Sequence, residues 1–152
     1  MAVKPGWTGR VYEDFEVGDV YPHPLGRTVL PVDNSWFTLL TQNMNPIHFD
    51  HAYAAQTEFG GLIASGWMTC GLMMRICVEQ FLSHNASLAS PGIDELRWLK
   101  PVRPGDVLGM RVTIIDARRS VSKPDRGIVR SGIEVLNQHD EVVMTMTAIN
   151  LI

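Results

Sequence analysis

Nine consecutive residues, Gln42-Asn43-Met44-Asn45-Pro46-Ile47-His48-Phe49-Asp50, crowd a histidine, a carboxylate and carboxamides around one proline. Histidine is the side chain best placed to take and return a proton near neutral pH. A neighbouring carboxylate could hold a water molecule and accept its proton, whereas an amide could only hydrogen-bond it. Pro46 disfavours the α conformation at Asn45, so the spacing predicts a turn. The turn would hold these polar groups at the edge of a core, where a small substrate could meet them. Each residue also has a plainer use. His48 could be a buried histidine satisfied by backbone, Asn45 a turn former whose side chain holds the loop, and Asp50 a helix N-cap. His48, Asp50 and His51 lack the further ligand spacing of a metal site, so no metal is expected.

The second stretch of interest is Gly60-Gly61-Leu62-Ile63-Ala64-Ser65-Gly66, which leads into an apolar helical segment. Gly66 stands where that helix starts. Free N–H groups and the positive end of the helix dipole favour an anion there, and a residue without a β-carbon allows close approach. The alternative is a glycine needed only for packing or a turn.

The elements that must position these groups follow from pattern. Residues 1–18 read as an extended arm ending in a turn at Val17-Gly18-Asp19. A strand interrupted by Pro22 and Pro24 is expected over 20–30. Asp33 could cap a short helix with Trp36, Phe37, Leu39 and Leu40 on an apolar face, and Asp50 a second over 51–57. The longest helix is expected over 67–83. Its apolar residues fall nearly all round, which predicts burial on most sides. Strands follow over 92–99, 107–119, 127–137 and 141–151, with turns between them at 100–106, 124–127 and 137–140. Short connections favour an antiparallel meander. One buried helix and a long antiparallel sheet give an α+β class, with the sheet wrapped around the helix, in a single domain over 1–152.

Bulk properties exclude several classes. The net charge of −3 gives no reason to expect nucleic acid. Basic residues gather at Arg97, Lys100 and Arg103 and again at Arg118, Arg119 and Lys123. Those clusters suit a phosphate-bearing small molecule, or are solvated loop charges. The apolar stretch Trp67–Leu82 carries Arg75 and Glu79 and is too short and too charged to span a membrane. Cys70 and Cys77 lie about 10 Å apart along a helix, too far for a disulfide. With no signal-peptide pattern at the N-terminus, a cytoplasmic protein is expected.

Three segments together resemble the MaoC-like branch of hotdog-fold proteins, which includes (R)-specific enoyl-CoA hydratases. Asn43 to Asp50 looks like that family's Asp-x-Asn-Pro-x-His-x-Asp motif. Leu62-Ile63-Ala64-Ser65-Gly66 looks like its lead into the central helix. Lys100-Pro101-Val102-Arg103-Pro104-Gly105-Asp106 looks like its turn between late strands. The resemblance implies a hotdog fold, a homodimer or higher homo-oligomer, and reversible syn hydration of a 2-enoyl thioester. The substrate would be an acyl-CoA, whose CoA is the only cofactor-like group needed. His48 matches the catalytic histidine, and Gly66 the glycine whose N–H binds the thioester oxygen. Ile63, Ser65, Asn45 and Asp50 fall in the matching segments, and Tyr53 and Trp98 could line an acyl pocket or simply pack.

The sequence departs from the pattern at Asn43, where the family has an aspartate. An amide can orient a water but cannot act as its base. Either His48 works alone, or Asp50 substitutes, or the chain binds thioesters without hydrating them. A thioesterase on the same scaffold is a further reading, and it would need Asp50 or Glu58 beside the oxyanion donor.

Overall fold

The computed structural model describes residues 9–152, so most of the first half of the expected N-terminal arm, with the side chain of Leu25, falls outside the account below. Strand β1 spans Val20–Thr28, followed by α1 (Pro31–Thr41), a single 3-10 turn (Pro46–His48), α2 (His51–Ala55) and α3 (Gly66–Gln80). Strands β2 (Ala89–Trp98), β3 (Val107–Arg119), β4 (Gly127–Leu136) and β5 (Val142–Leu151) complete the chain. They form a five-stranded antiparallel sheet in the order β1-β3-β4-β5-β2.

The expected meander holds for β3-β4-β5 only. β2 leaves its sequence neighbour β3 and pairs with β5 instead, while β1 takes the place beside β3. The connection explains this. Pro101 and Pro104 lack the N–H groups that a tight hairpin would use, and the segment is bonded elsewhere. Ala64 N–H donates to Val102 O at 2.7 Å, Gly105 N–H to Val29 O at 2.8 Å and Val29 N–H to Asp106 O at 2.8 Å. The β2–β3 connection is thereby tied to the lead into α3 and to the end of β1. Pro22 and Pro24 are accommodated because β1 is an edge strand.

Period-two burial decides which face of the sheet meets α3. Leu108, Met110, Val112 and Ile114 of β3 point inward, as do Val129, Ile133 and Val135 of β4. Against them lie Met68, Leu72, Met73, Ile76 and Cys77 of α3. Burial pushes the Cys77 thiol up to about 12, and both cysteines are free. An N-terminal latch closes the far end of this core. Arg10 donates to Phe81 O at 3.3 Å and stacks over the Tyr21 ring at 4.0 Å.

Two expectations about helices are corrected. α3 is not buried on most sides: Trp67 is 60% exposed, and Met74 and Val78 are also open to solvent. The sheet can cover only one side of the helix, so apolar residues on the other side have no cover within the chain. α1 is inverted. Of its four expected apolar residues only Phe37 packs against the core; Trp36, Leu39 and Leu40 face outward, Leu40 at 79% exposure, and its buried positions are Asn34 and Thr38. The buried side chains have polar partners: Asn34 Nδ2 donates to the Ile63 carbonyl in the lead into α3 at 3.3 Å, and Thr38 Oγ1 to Ser35 O of its own helix at 2.9 Å. α1 also begins at Pro31, with Asp33 as its third residue. The Asp33 carboxylate accepts from Leu30 N–H at 2.8 Å rather than serving as the N-cap itself.

Candidate active site

The motif turn is built by its own side chains. α1 ends at Gln42 in the left-handed conformation. Asn45 Oδ1 accepts from Ile47 N–H at 3.2 Å, Pro46 starts the 3-10 turn, and Asp50 N–H closes it on Pro46 O at 2.8 Å. Asp50 Oδ1 then caps α2 by accepting from Tyr53 N–H at 3.0 Å. The result presents His48 inward, 8% exposed.

One four-residue segment, Ile63-Ala64-Ser65-Gly66, gathers the polar groups. His48 Nδ1 lies 2.9 Å from Ile63 O. A carbonyl can only accept, so Nδ1 carries the proton, and in the neutral ring Nε2 keeps its lone pair. Asn34 Nδ2 donates to the same carbonyl at 3.3 Å. Asn43 Nδ2 faces Ser65 Oγ at 3.4 Å. Ser65 is the N-cap residue of α3, yet its hydroxyl makes no capping bond. The first N–H groups of α3, beginning with Gly66, therefore keep the free donors of a helix start.

Trp98, at the end of β2, closes the other side. Its Nε1–H donates to Gly66 O at 3.0 Å, and its ring meets Trp67 edge-on at 5.5 Å. A β-carbon on Gly66 would fall 2.5 Å from the Trp98 ring. A side chain at this position would have to push the Trp98 indole aside.

These parts surround a cavity of about 480 Å³. Asn43, His48, Ile63, Ser65, Gly66 and Trp98 all line it, together with Thr69 and Lys100. Asn45, Asp50 and Tyr53 do not: the first two support the turn, and Tyr53 is half exposed on α2. Among the described residues no Asp or Glu lines the wall, and Glu58 is exposed outside it. The formal charge on the wall is Lys100, whose ammonium is paired with Glu141 at 2.6 Å. Among the described residues no group of three or more His, Cys, Asp or Glu is placed to hold a metal.

Asn34 is the residue that sequence reasoning missed. It is 1% exposed, and its Oδ1 has no hydrogen-bond partner among the described residues. It carried a weak signal, a polar residue four positions from Thr38 on one helical face, masked by the apolar residues around it.

The MaoC like domain model matches residues 14–135. The chain is a member of the MaoC-like family. A MaoC-like dehydratase structure from Rhodospirillum rubrum is 34% identical, with a TM-score of 0.84 over 95% of this chain and 97% of that one. The architecture is the hotdog fold. The 3-hydroxybutyryl-CoA dehydratase of Methylorubrum extorquens is 31% identical over 105 residues, 69% of this chain and 64% of that protein. The mesaconyl-CoA hydratase of Cereibacter sphaeroides is 29% identical over 137 residues, 90% of this chain and 39% of that protein. This MaoC-like chain thus spans less than two thirds of the length of either curated relative. Among its described residues no helix is long and apolar enough to cross a membrane.

Proposed function

We propose that the protein is a hydratase/dehydratase that adds water reversibly across the C2=C3 bond of a 2-enoyl-CoA thioester. The observation that carries this reading is the His48 imidazole, held at Nδ1 by the Ile63 carbonyl in the cavity shared with the start of α3. Nε2 takes a proton from water as the oxygen bonds to C3, and a proton is returned to C2 as the double bond is lost. In a syn addition both arrive from one face, so a single residue can do both transfers. Asn43 then orients the water without deprotonating it. Negative charge gathers on the thioester oxygen, and the Gly66 N–H at the start of α3 receives it. One such donor is worth about 2.7–4 kcal/mol in the barrier. Asn45 and Asp50 act by holding the turn, Ile63, Ser65 and Trp98 by shaping the wall, and Tyr53 by its place at the approach. The reaction needs no cofactor beyond the CoA of its substrate.

The working unit is a homodimer or a higher homo-oligomer. β2 is an edge strand exposed along almost its whole length, and long open edges are usually covered. The outward apolar residues of α1 and α3 support the same reading. The free cysteines fit a reducing cytoplasm.

The test is consumption of the enoyl-thioester absorbance by the purified protein over a panel of 2-enoyl-CoA substrates, beside His48→Ala. Turnover by wild type that is lost in a folded His48→Ala variant is expected. Equal turnover by the two would remove the mechanism. Saturable CoA binding without turnover of any panel member would point to the binding-protein reading, which Asn43 favours. A thioesterase is the weaker alternative, because among the described residues no carboxylate lines the cavity.

A further inference from the structure

Ser65 stands between Asn43 and Gly66, and its hydroxyl does not cap the helix it precedes. The residue is 4% exposed, lines the cavity, and makes no capping bond although it is the N-cap of α3. A serine in that position ordinarily turns its oxygen to the N–H of the second or third helical residue. Among the described residues the only hydrogen bond of Ser65 Oγ is the one it accepts from Asn43 Nδ2, at 3.4 Å. Its hydroxyl hydrogen is left without an acceptor among them. An aspartate at position 43 would accept only, and would take that hydrogen for itself. Asn43 donates instead, and a hydroxyl that accepts one hydrogen bond becomes a better donor in the next. The Ser65 backbone is fixed as well: its carbonyl accepts from Thr69 N–H at 3.0 Å and from Thr69 Oγ1 at 3.3 Å. The hydroxyl and the Gly66 N–H are separated only by Cβ, Cα and the carbonyl carbon of Ser65, so both donors border the same part of the cavity.

We propose that Ser65 is a second oxyanion donor, whose O–H hydrogen-bonds the thioester oxygen of the bound enoyl-CoA beside the Gly66 N–H. The inference rests on the hydratase reading and adds a catalytic residue to that site. The thioester oxygen gains negative charge as the water oxygen bonds to C3, and loses it as C2 takes its proton. Ser65 keeps its own proton throughout, and no covalent bond to it forms or breaks. Its hydrogen bond strengthens as the charge grows, so it acts on the barrier more than on substrate binding. Asn43 then serves two neighbours: Nδ2 holds Ser65 Oγ, and Oδ1 is left for the water.

Ser65→Ala removes the donor. Because Ser65 makes no capping bond, α3 loses no cap, and urea unfolding should match wild type. On the best enoyl-CoA, kcat should fall by about 100-fold or more with KM nearly unchanged, the size of one oxyanion donor. Ser65→Cys fills the same space with a weak donor and should be nearly as slow. The decisive measurement is spectroscopic. Sorbyl-CoA, whose acyl chain is a conjugated diene, is bound in a His48→Ala background where turnover is blocked. It should absorb at longer wavelength than in water, because donors at the thioester oxygen draw electron density along the conjugated chain. Adding Ser65→Ala should remove much of that red shift. Adding Asn43→Ala, which takes away the partner of the water, should leave most of it. A red shift unchanged by Ser65→Ala, or a rate loss confined to KM, would overturn the proposal. The shift is read without turnover, so it stands apart from the hydratase reading. Wild type that consumes no enoyl-CoA, with a shift that still depends on Ser65, would remove the hydration and keep the donor.

Discussion

Gly66→Ala separates space from backbone conformation at the start of α3. Gly66 is not among the residues with positive φ, so alanine meets no conformational objection there. Helix propensity alone would favour it by up to about 1 kcal/mol. The objection is the indole. A Gly66 β-carbon would lie 2.5 Å from Trp98 Cε2, 2.7 Å from its Nε1 and 2.8 Å from its Cδ2. Trp98 is half exposed and can swing outward, at a cost. It loses the bond to Gly66 O, worth about 0.5–1.5 kcal/mol, and the edge-on contact with Trp67, worth about 0.5–1.5 kcal/mol. Against the propensity gain, the net destabilisation is about 0–3 kcal/mol. The effect on the reaction should be larger. Without the indole the first turn of α3 is unbraced and its amide misplaced, and one oxyanion donor is worth about 100- to 1000-fold in rate. The assay is a double-mutant cycle of Gly66→Ala and Trp98→Ala, read by kcat/KM on the best enoyl-CoA and by urea unfolding. Trp98→Ala empties the space, so Gly66→Ala should cost little more in that background. An equal cost with and without Trp98 would refute the steric argument. Wild-type kcat/KM in the single variant would refute the assignment of Gly66 to the site.

Two further outcomes follow from buried polar groups. Asn34→Ala frees the Ile63 carbonyl that orients His48, so kcat should fall by about 10- to 100-fold with KM nearly unchanged; steady-state kinetics showing a KM effect alone would deny Asn34 a positioning role. Desolvation of buried His23 lowers its pKa, and the nearby Arg10 guanidinium lowers it further, against a raising contribution from Gln80. The unfolded chain then binds more protons than the folded one below about pH 6.5. Stability from this residue is therefore full above that pH and is lost as pH falls toward the depressed folded pKa, at up to about 1.4 kcal/mol per pH unit. Urea unfolding between pH 7.5 and 5 should show that slope. A His23→Phe variant that keeps the whole slope would assign it to other groups.

Local chemistry was legible wherever neighbours in sequence are neighbours in space. Asn45 and Asp50 bond backbone N–H groups two and three residues on, so their turn-forming and capping roles could be read from order alone. The period-two patterns of β3, β4 and β5 placed those strands to within one residue. The lead into α3 and its start at Gly66 were visible as glycines before an apolar run.

What lay beyond the sequence involves partners far apart in the chain. Nothing local says that β2 skips β3 to pair with β5, because that choice depends on where the Lys100–Asp106 connection finds its hydrogen bonds. Hydropathy misread most of α1: Phe37 packs inward, but Trp36, Leu39 and Leu40 face out, and the buried Asn34 bonds a carbonyl 29 residues away. It misread α3 as well, because one sheet can cover only one side of a helix. The sequence by itself determined which residue types are present: a histidine that can hold a proton, an amide where an acid would be charged, and a glycine without a β-carbon. The tertiary structure decided which nitrogen of His48 is free and what fills the space above Gly66. Both answers depend on Ile63 and Trp98, 15 and 32 residues distant, which only folding brings within bonding range.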